Sequence, residues 1–317
     1  MKSQFLSFFC SYLALFIPLF ANDHYTSTPI YSQIKDIYHP TLKELKRIQH
    51  YLASDQRYGL DKLGFYKANI QNFKIIGNSK KRQPRSGVIA VGCKKTIKEN
   101  CLILYSSFNK NYVGGLKRLI SFVKRSDFKG HILYRVGGWP NIKGGSLNLA
   151  HVPYAFKPSF FKEAERLGYK RVLWLDAAIL PIVSLNSIFK TIQEKGYFVM
   201  GNSHMIGQYM NEAAAQAFGI HLQDTYQIPS CSAGLLGVDL TNARARQVIE
   251  RWYALAHHAS AFYSERPEQN ALSIILHQSG ITDFESIHRL AHGKNSINAD
   301  SLFLLERSYV KKKAKHL

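Results

Sequence analysis

At 317 residues the chain is long enough for one large domain, or for a domain with an appendage. A composition of 46% hydrophobic and 13% aromatic residues excludes a disordered chain. A net charge of +21 points to anionic partners such as nucleotides, phosphosugars or an acidic membrane surface; the basic residues are scattered, and no helix-turn-helix, zinc-finger or RNP pattern marks a specific reader of nucleic acid.

In chain order, Lys2 precedes an apolar stretch at 5–20, followed by Ala21 and the polar pair Asn22 and Asp23. Residues 1–21 therefore read as a signal peptide or signal anchor, long for a signal core and short for a spanning helix. Pro18 favours cleavage, whereas Leu19 three residues before the cut favours retention as an anchor. The expected location is an export or secretory route, secreted or periplasmic if the leader is cleaved and membrane-associated through residues 1–21 if it is not. Residues 22–84 read as a helical appendage, with a helix near 41–53 and a basic boundary loop, NSKKRQPR, at 78–85.

The core domain is expected over 85–310, with a short basic tail at 311–317. Apolar runs at 88–91, 102–105 and 132–136 are strand-length, and Leu116, Leu119, Ile120 and Val123 mark one face of a helix at 113–124. Cys93 and Cys101 flank a turn, so a disulfide in an oxidising compartment and two buried free thiols are both open. The glycine-rich loop at 137–145 matches no phosphate-binding fingerprint. An aromatic-faced helix at 154–167 then leads to a strand at 172–175 that ends on a single carboxylate, Asp176. A helix at 185–194, a strand at 197–200 and a helix at 210–218 follow. A glycine-interrupted strand at 232–240 and helices at 242–258 and 268–278 complete the core. The alternation predicts an α/β fold built on a mostly parallel sheet with flanking helices. Ligands of open α/β sheets bind beyond the carboxyl ends of the strands, which makes Asp176 a candidate ligand residue; an acid that caps the next turn is the alternative.

Several segments together carry a resemblance: PYAFKP at 153–158, GYKRVLWLDAAILPI at 168–182, IFKTIQEKGYF at 188–198, GQYMN at 207–211, IPSCSAGLLGVDL at 228–240 and RPEQNALSIIL at 266–276. In this order and spacing they resemble the glycosyltransferases with the A-type fold, and more narrowly the glycosyltransferase-like proteins of the nucleotide-diphospho-sugar transferase superfamily. The resemblance implies transfer of a sugar, hexosyltransferase-like, from a nucleoside-diphosphate donor to the hydroxyl of an unidentified acceptor. The departing diphosphate gains negative charge, and a divalent cation, Mn²⁺ or Mg²⁺, with nearby Lys or Arg offsets such charge. Members usually carry Asp-x-Asp at the strand end, whereas this chain reads Asp176-Ala177-Ala178.

The resemblance further implies donor-binding roles for Lys157, Asp176, Gln208, Ser232, Ala233 and Gly234. It gives metal contacts to Asp176 and to His292, and a catalytic or acceptor-side role to Glu268 and Gln269. Each has a structural alternative: a snorkelling surface Lys157, a helix start capped by Asn211 beside Gln208, plain strand packing for 232–234, and a first-turn acid for Glu268. His288 and His292 stand four apart without an evident third ligand. The second functional class is an exported, non-catalytic binding protein that retains the glycosyltransferase fold, a reading favoured by the missing second acid.

Overall fold

The computed structural model describes residues 85–92, 96–107, 110–137, 149 and 152–307. The leader, the appendage, Cys93, the glycine-rich loop beyond Gly137 and the basic tail lie outside the described residues.

The elements in chain order are β1 (Arg85–Val91), β2 (Asn100–Ser106), α1 (Lys110–Arg125), β3 (Gly130–Val136), α2 (Phe156–Arg166), β4 (Arg171–Asp176) and β5 (Ile179–Pro181). They continue with α3 (Leu185–Lys195), β6 (Tyr197–Met205), α4 (Glu212–Ala217), β7 (Pro229–Asp239), α5 (Ala243–Ala256), α6 (Pro267–Gln278), β8 (Leu290–His292) and β9 (Phe303–Leu305). Local chemistry sets several boundaries. Ser184 caps α3 by accepting from the Asn186 N–H, and Asn242 caps α5 by accepting from Ala245. Pro267 opens α6 where its missing N–H costs no helix bond.

The fold is α/β, with a six-stranded sheet in the order β1-β3-β2-β4-β7-β6. β2 pairs in parallel with both β3 and β4. β1–β3, β4–β7 and β7–β6 are antiparallel. The expectation of a mostly parallel sheet is thus corrected to a mixed one. Continuous apolar runs report burial on both faces, and that holds for antiparallel strands roofed by helices as well as for parallel ones. Direction was set instead by connections: β7 returns beside β6 after a long excursion and inserts between it and β4.

Side-chain alternation along the strands feeds two cores. On one face Ile103, Trp174 and Leu236 pack with Phe160, Phe161, Trp252 and Leu272 from α2, α5 and α6. On the other Leu102, Leu104 and Leu173 pack with Leu116, Leu119, Ile188 and Phe189 from α1 and α3. Burying each such side chain contributes about 1.5–3 kcal/mol. Cys101 and Cys231 sit in the first core as free thiols. At the β6 edge, Glu285 donates its N–H to Val199 and accepts from Gly201, which covers part of an otherwise open strand.

A second sheet, β5-β9-β8, begins three residues after Asp176. It brings residues 290–305 back beside the end of β4, and the Glu306 N–H donates to the Ala178 carbonyl at 2.8 Å.

Candidate functional site

Asp176 is the last residue of β4 and pairs with Tyr105 at the end of β2, so it stands at the carboxyl edge of the central parallel strands. Strand alternation puts Trp174 and Asp176 on one face, and the Trp174 indole Nε1–H donates to Asp176 Oδ1 at 2.8 Å. Among the described residues Asp176 caps no turn. Its carboxylate is 45% exposed, and Oδ2 has no hydrogen-bond partner among the described residues.

Lys157, in the first turn of α2, is drawn inward rather than snorkelling; its side chain is 6% exposed. Its ammonium donates to the Ala233 carbonyl at 3.0 Å and to Glu268 Oε1 at 2.9 Å, and stands 3.5 Å from Asp176 Oδ1. It also lies 5.9 and 5.7 Å from the ring centres of Tyr154 and Trp174, within cation–π range. Burial opposes the charged form, but the carboxylates of Asp176 and Glu268 outweigh it and hold the Lys157 pKa above its ordinary value. Tyr154 stands in the left-handed region at φ 58°, a conformation that costs a non-glycine residue about 1 kcal/mol. Its carbonyl accepts the Lys157 N–H, so this turn sets how the chain enters α2. Burial, reinforced by Glu268, pushes the Tyr154 phenol up to about 12.

β7 supplies the opposite wall. Ala233 gives its carbonyl to Lys157, Ser232 is half-buried, and Gly234 lies against Asp176. A Cβ at Gly234 would stand 2.8 Å from Asp176 Oδ2, so the glycine is there for close approach to the carboxylate.

Glu268 and Gln269 occupy the first turn of α6. Gln269 Nε2 donates to the buried Ser230 hydroxyl at 3.1 Å and lies 3.5 Å from His204 Nε2. Burial, then the charge of Arg266, holds the His204 pKa below its ordinary value. The His204 ring meets Tyr209 edge-on at 4.9 Å, and the exposed Arg266 guanidinium lies over the Tyr209 ring at 4.1 Å. Glu268 and Gln269 thus join two clusters, one around Lys157 and one around Tyr209.

Gln208 is exposed in the short turn at 206–209, beside Tyr209. Its neighbour Asn211 caps α4, accepting from Ala214 at 2.8 Å, as the structural alternative had it. His292 is exposed on β8, in register with Leu305, which pairs with Ile179 on β5. It therefore belongs to the small sheet that follows Asp176, but no contact with Asp176 occurs among the described residues.

The sequence pointed to Lys157, Asp176, Glu268 and the 232–234 segment, and the structure brings these together. It did not point to Trp174, Tyr154, His204, Tyr209, Ser230 or Arg266. Trp174 was legible, being two residues from Asp176 on a strand; the others depend on how loops and strand ends meet.

A divalent cation has a narrow donor set here. Among the described residues no group of three or more His, Cys, Asp or Glu side chains could hold a metal. Free Oδ2 of Asp176 suits an ion that takes one carboxylate from the protein and the rest of its shell from substrate phosphates and water.

No family model matches the chain, and no curated protein matches it.

Proposed function

We propose that this protein is a nucleotide-sugar-dependent glycosyltransferase of the A-type fold. The observation that carries the proposal is the convergence of Asp176, Lys157, Glu268 and the 232–234 backbone at the carboxyl ends of the sheet. Lys157 and Glu268 are 111 residues apart in sequence, yet they share a buried ion pair. Mixed strand directions are compatible with such a site, because its floor is built by the parallel strands β2 and β4.

In this reading Asp176 faces the donor, with Oδ1 fixed by Trp174 and Oδ2 available to ribose or metal. A bound Mn²⁺ or Mg²⁺ would offset negative charge on the departing diphosphate. Glu268 has Oε1 turned to Lys157, and Oε2 is left to accept a hydrogen bond from the acceptor hydroxyl. Ser232 and Gln208 offer polar groups to the sugar, and Gln269 holds the acceptor side together through Ser230. His292 remains the outlying candidate for a metal contact. No helix among the described residues is long and apolar enough to cross a membrane, so the proposed membrane association rests on residues 1–21.

The test is sugar-nucleotide hydrolysis and transfer across a panel of donors, with and without Mn²⁺. Turnover that falls by about 100-fold in Asp176→Asn supports the proposal. Unchanged turnover in that variant refutes it. Ala178 in place of a second acid favours the other class, an exported binding protein, which predicts donor binding without turnover.

A further inference from the structure

We infer that Arg266, held over the Tyr209 ring, is the residue that grips the donor diphosphate, and that Lys157 is a positioning residue; the inference rests on the nucleotide-sugar reading above. An ammonium has three N–H donors. Ala233 O and Glu268 Oε1 accept two, and Asp176 Oδ1 at 3.5 Å faces the third. With its side chain 6% exposed, Lys157 has neither a donor nor an open path left for a phosphate. Arg135, at the neighbouring end of β3, is buried and turned to the Glu163 carboxylate through Nε and Nη2.

Arg266 differs on each count. It is exposed, and among the described residues it makes no ion pair and no side-chain hydrogen bond. A cation–π contact at 4.1 Å spends none of the guanidinium N–H donors in hydrogen bonds, which leaves the fork for bidentate phosphate contact. The platform is anchored: the Tyr209 carbonyl accepts from the Glu265 N–H at 3.1 Å and from Asn270 Nδ2 at 3.1 Å, on both sides of Arg266 in sequence. Depression of the His204 pKa keeps that imidazole neutral beside it, so the positive charge of this cluster stays on Arg266. Lys157 faces two carboxylates, Asp176 and Glu268, so its charge is already offset, and Arg266, two residues before Glu268, is the positive charge left for an anionic ligand.

Isothermal titration of the full chain with UDP, GDP, CDP and ADP, and with the parent nucleosides, tests this. For the diphosphate that binds, Arg266→Gln should weaken affinity by about ten- to a hundredfold while nucleoside binding stays unchanged. Arg266→Lys should fall between, because it keeps the charge and loses the fork, and Tyr209→Ala should weaken binding by removing the platform. Lys190→Gln, which deletes an exposed charge on α3, should change nothing. Diphosphate affinity unaltered in Arg266→Gln, or weakened equally in Lys190→Gln, overturns this inference alone. If the wild-type protein binds none of the diphosphates, the nucleotide-sugar reading falls and takes this inference with it.

Discussion

Lys157 shows what a single side chain does when two acids converge on it. A buried ammonium between Asp176 and Glu268 is a poor source of net stability, but removing it strands the buried Glu268 carboxylate. Lys157→Met should therefore lower stability by about 3 kcal/mol, measured by urea unfolding. Adding Glu268→Gln should restore part of that loss, and strict additivity of the two effects would refute the coupling. Gly234 makes the second case. A methyl group there would stand 2.8 Å from Asp176 Oδ2, and the carboxylate cannot swing away freely because Trp174 holds Oδ1. Gly234→Ala should cut donor turnover by about 100-fold with the fold intact, as judged by circular dichroism. The resemblance offered Gly234 as a donor-site residue, and the structure identifies Asp176 as the group it approaches.

Elements carry a different lesson, seen in β7 and α4. The glycine-interrupted strand expected at 232–240 spans Pro229–Asp239, and its earlier start is what brings Ser230 to Gln269 and Cys231 to Ser273. Gly237 on the same strand lies beneath α3, where a Cβ would meet Ile192 Cδ1 at 2.4 Å and Cγ1 at 2.8 Å. Gly237→Ala should cost about 1–3 kcal/mol, and Ile192→Val in the same chain should relieve some of it, read from thermal melts. At α4, Asn211 resolves a choice the sequence left open. Its side chain caps the helix and also bonds the Tyr263 carbonyl, so Asn211→Ala should destabilise by about 1 kcal/mol; no loss of stability would argue against the capping role.

For the whole molecule, three histidines with depressed pKa values contribute to the response to acid. His131, His204 and His257 all have pKa values below the ordinary one, chiefly through burial, with Lys98, Arg266 and His258 adding to it respectively. Below the ordinary value of about 6.5 the unfolded chain takes up protons that the folded chain refuses. Stability present above that pH should decline as pH falls toward the depressed folded values. Melting temperatures followed from pH 7.5 to 5 should drop, and His131→Asn should flatten part of the slope. An unchanged slope in that variant would assign the acid response elsewhere.

The sequence by itself determined the element types of the six-stranded sheet and its flanking helices, the two-sided burial of the central strands and the position of Asp176 at a strand end. Those follow from local periodicity, which neighbouring residues impose on one another; the strands of the small sheet at 179–181, 290–292 and 303–305 were not foreseen. Only the tertiary structure decided the mixed direction of the sheet, since a run such as Val172–Leu175 is apolar whichever way its neighbours run. It alone put Lys157 between two acids and Arg266 on Tyr209. Those contacts join α2, β4, β7 and α6, whose separations along the chain carry no periodic signal.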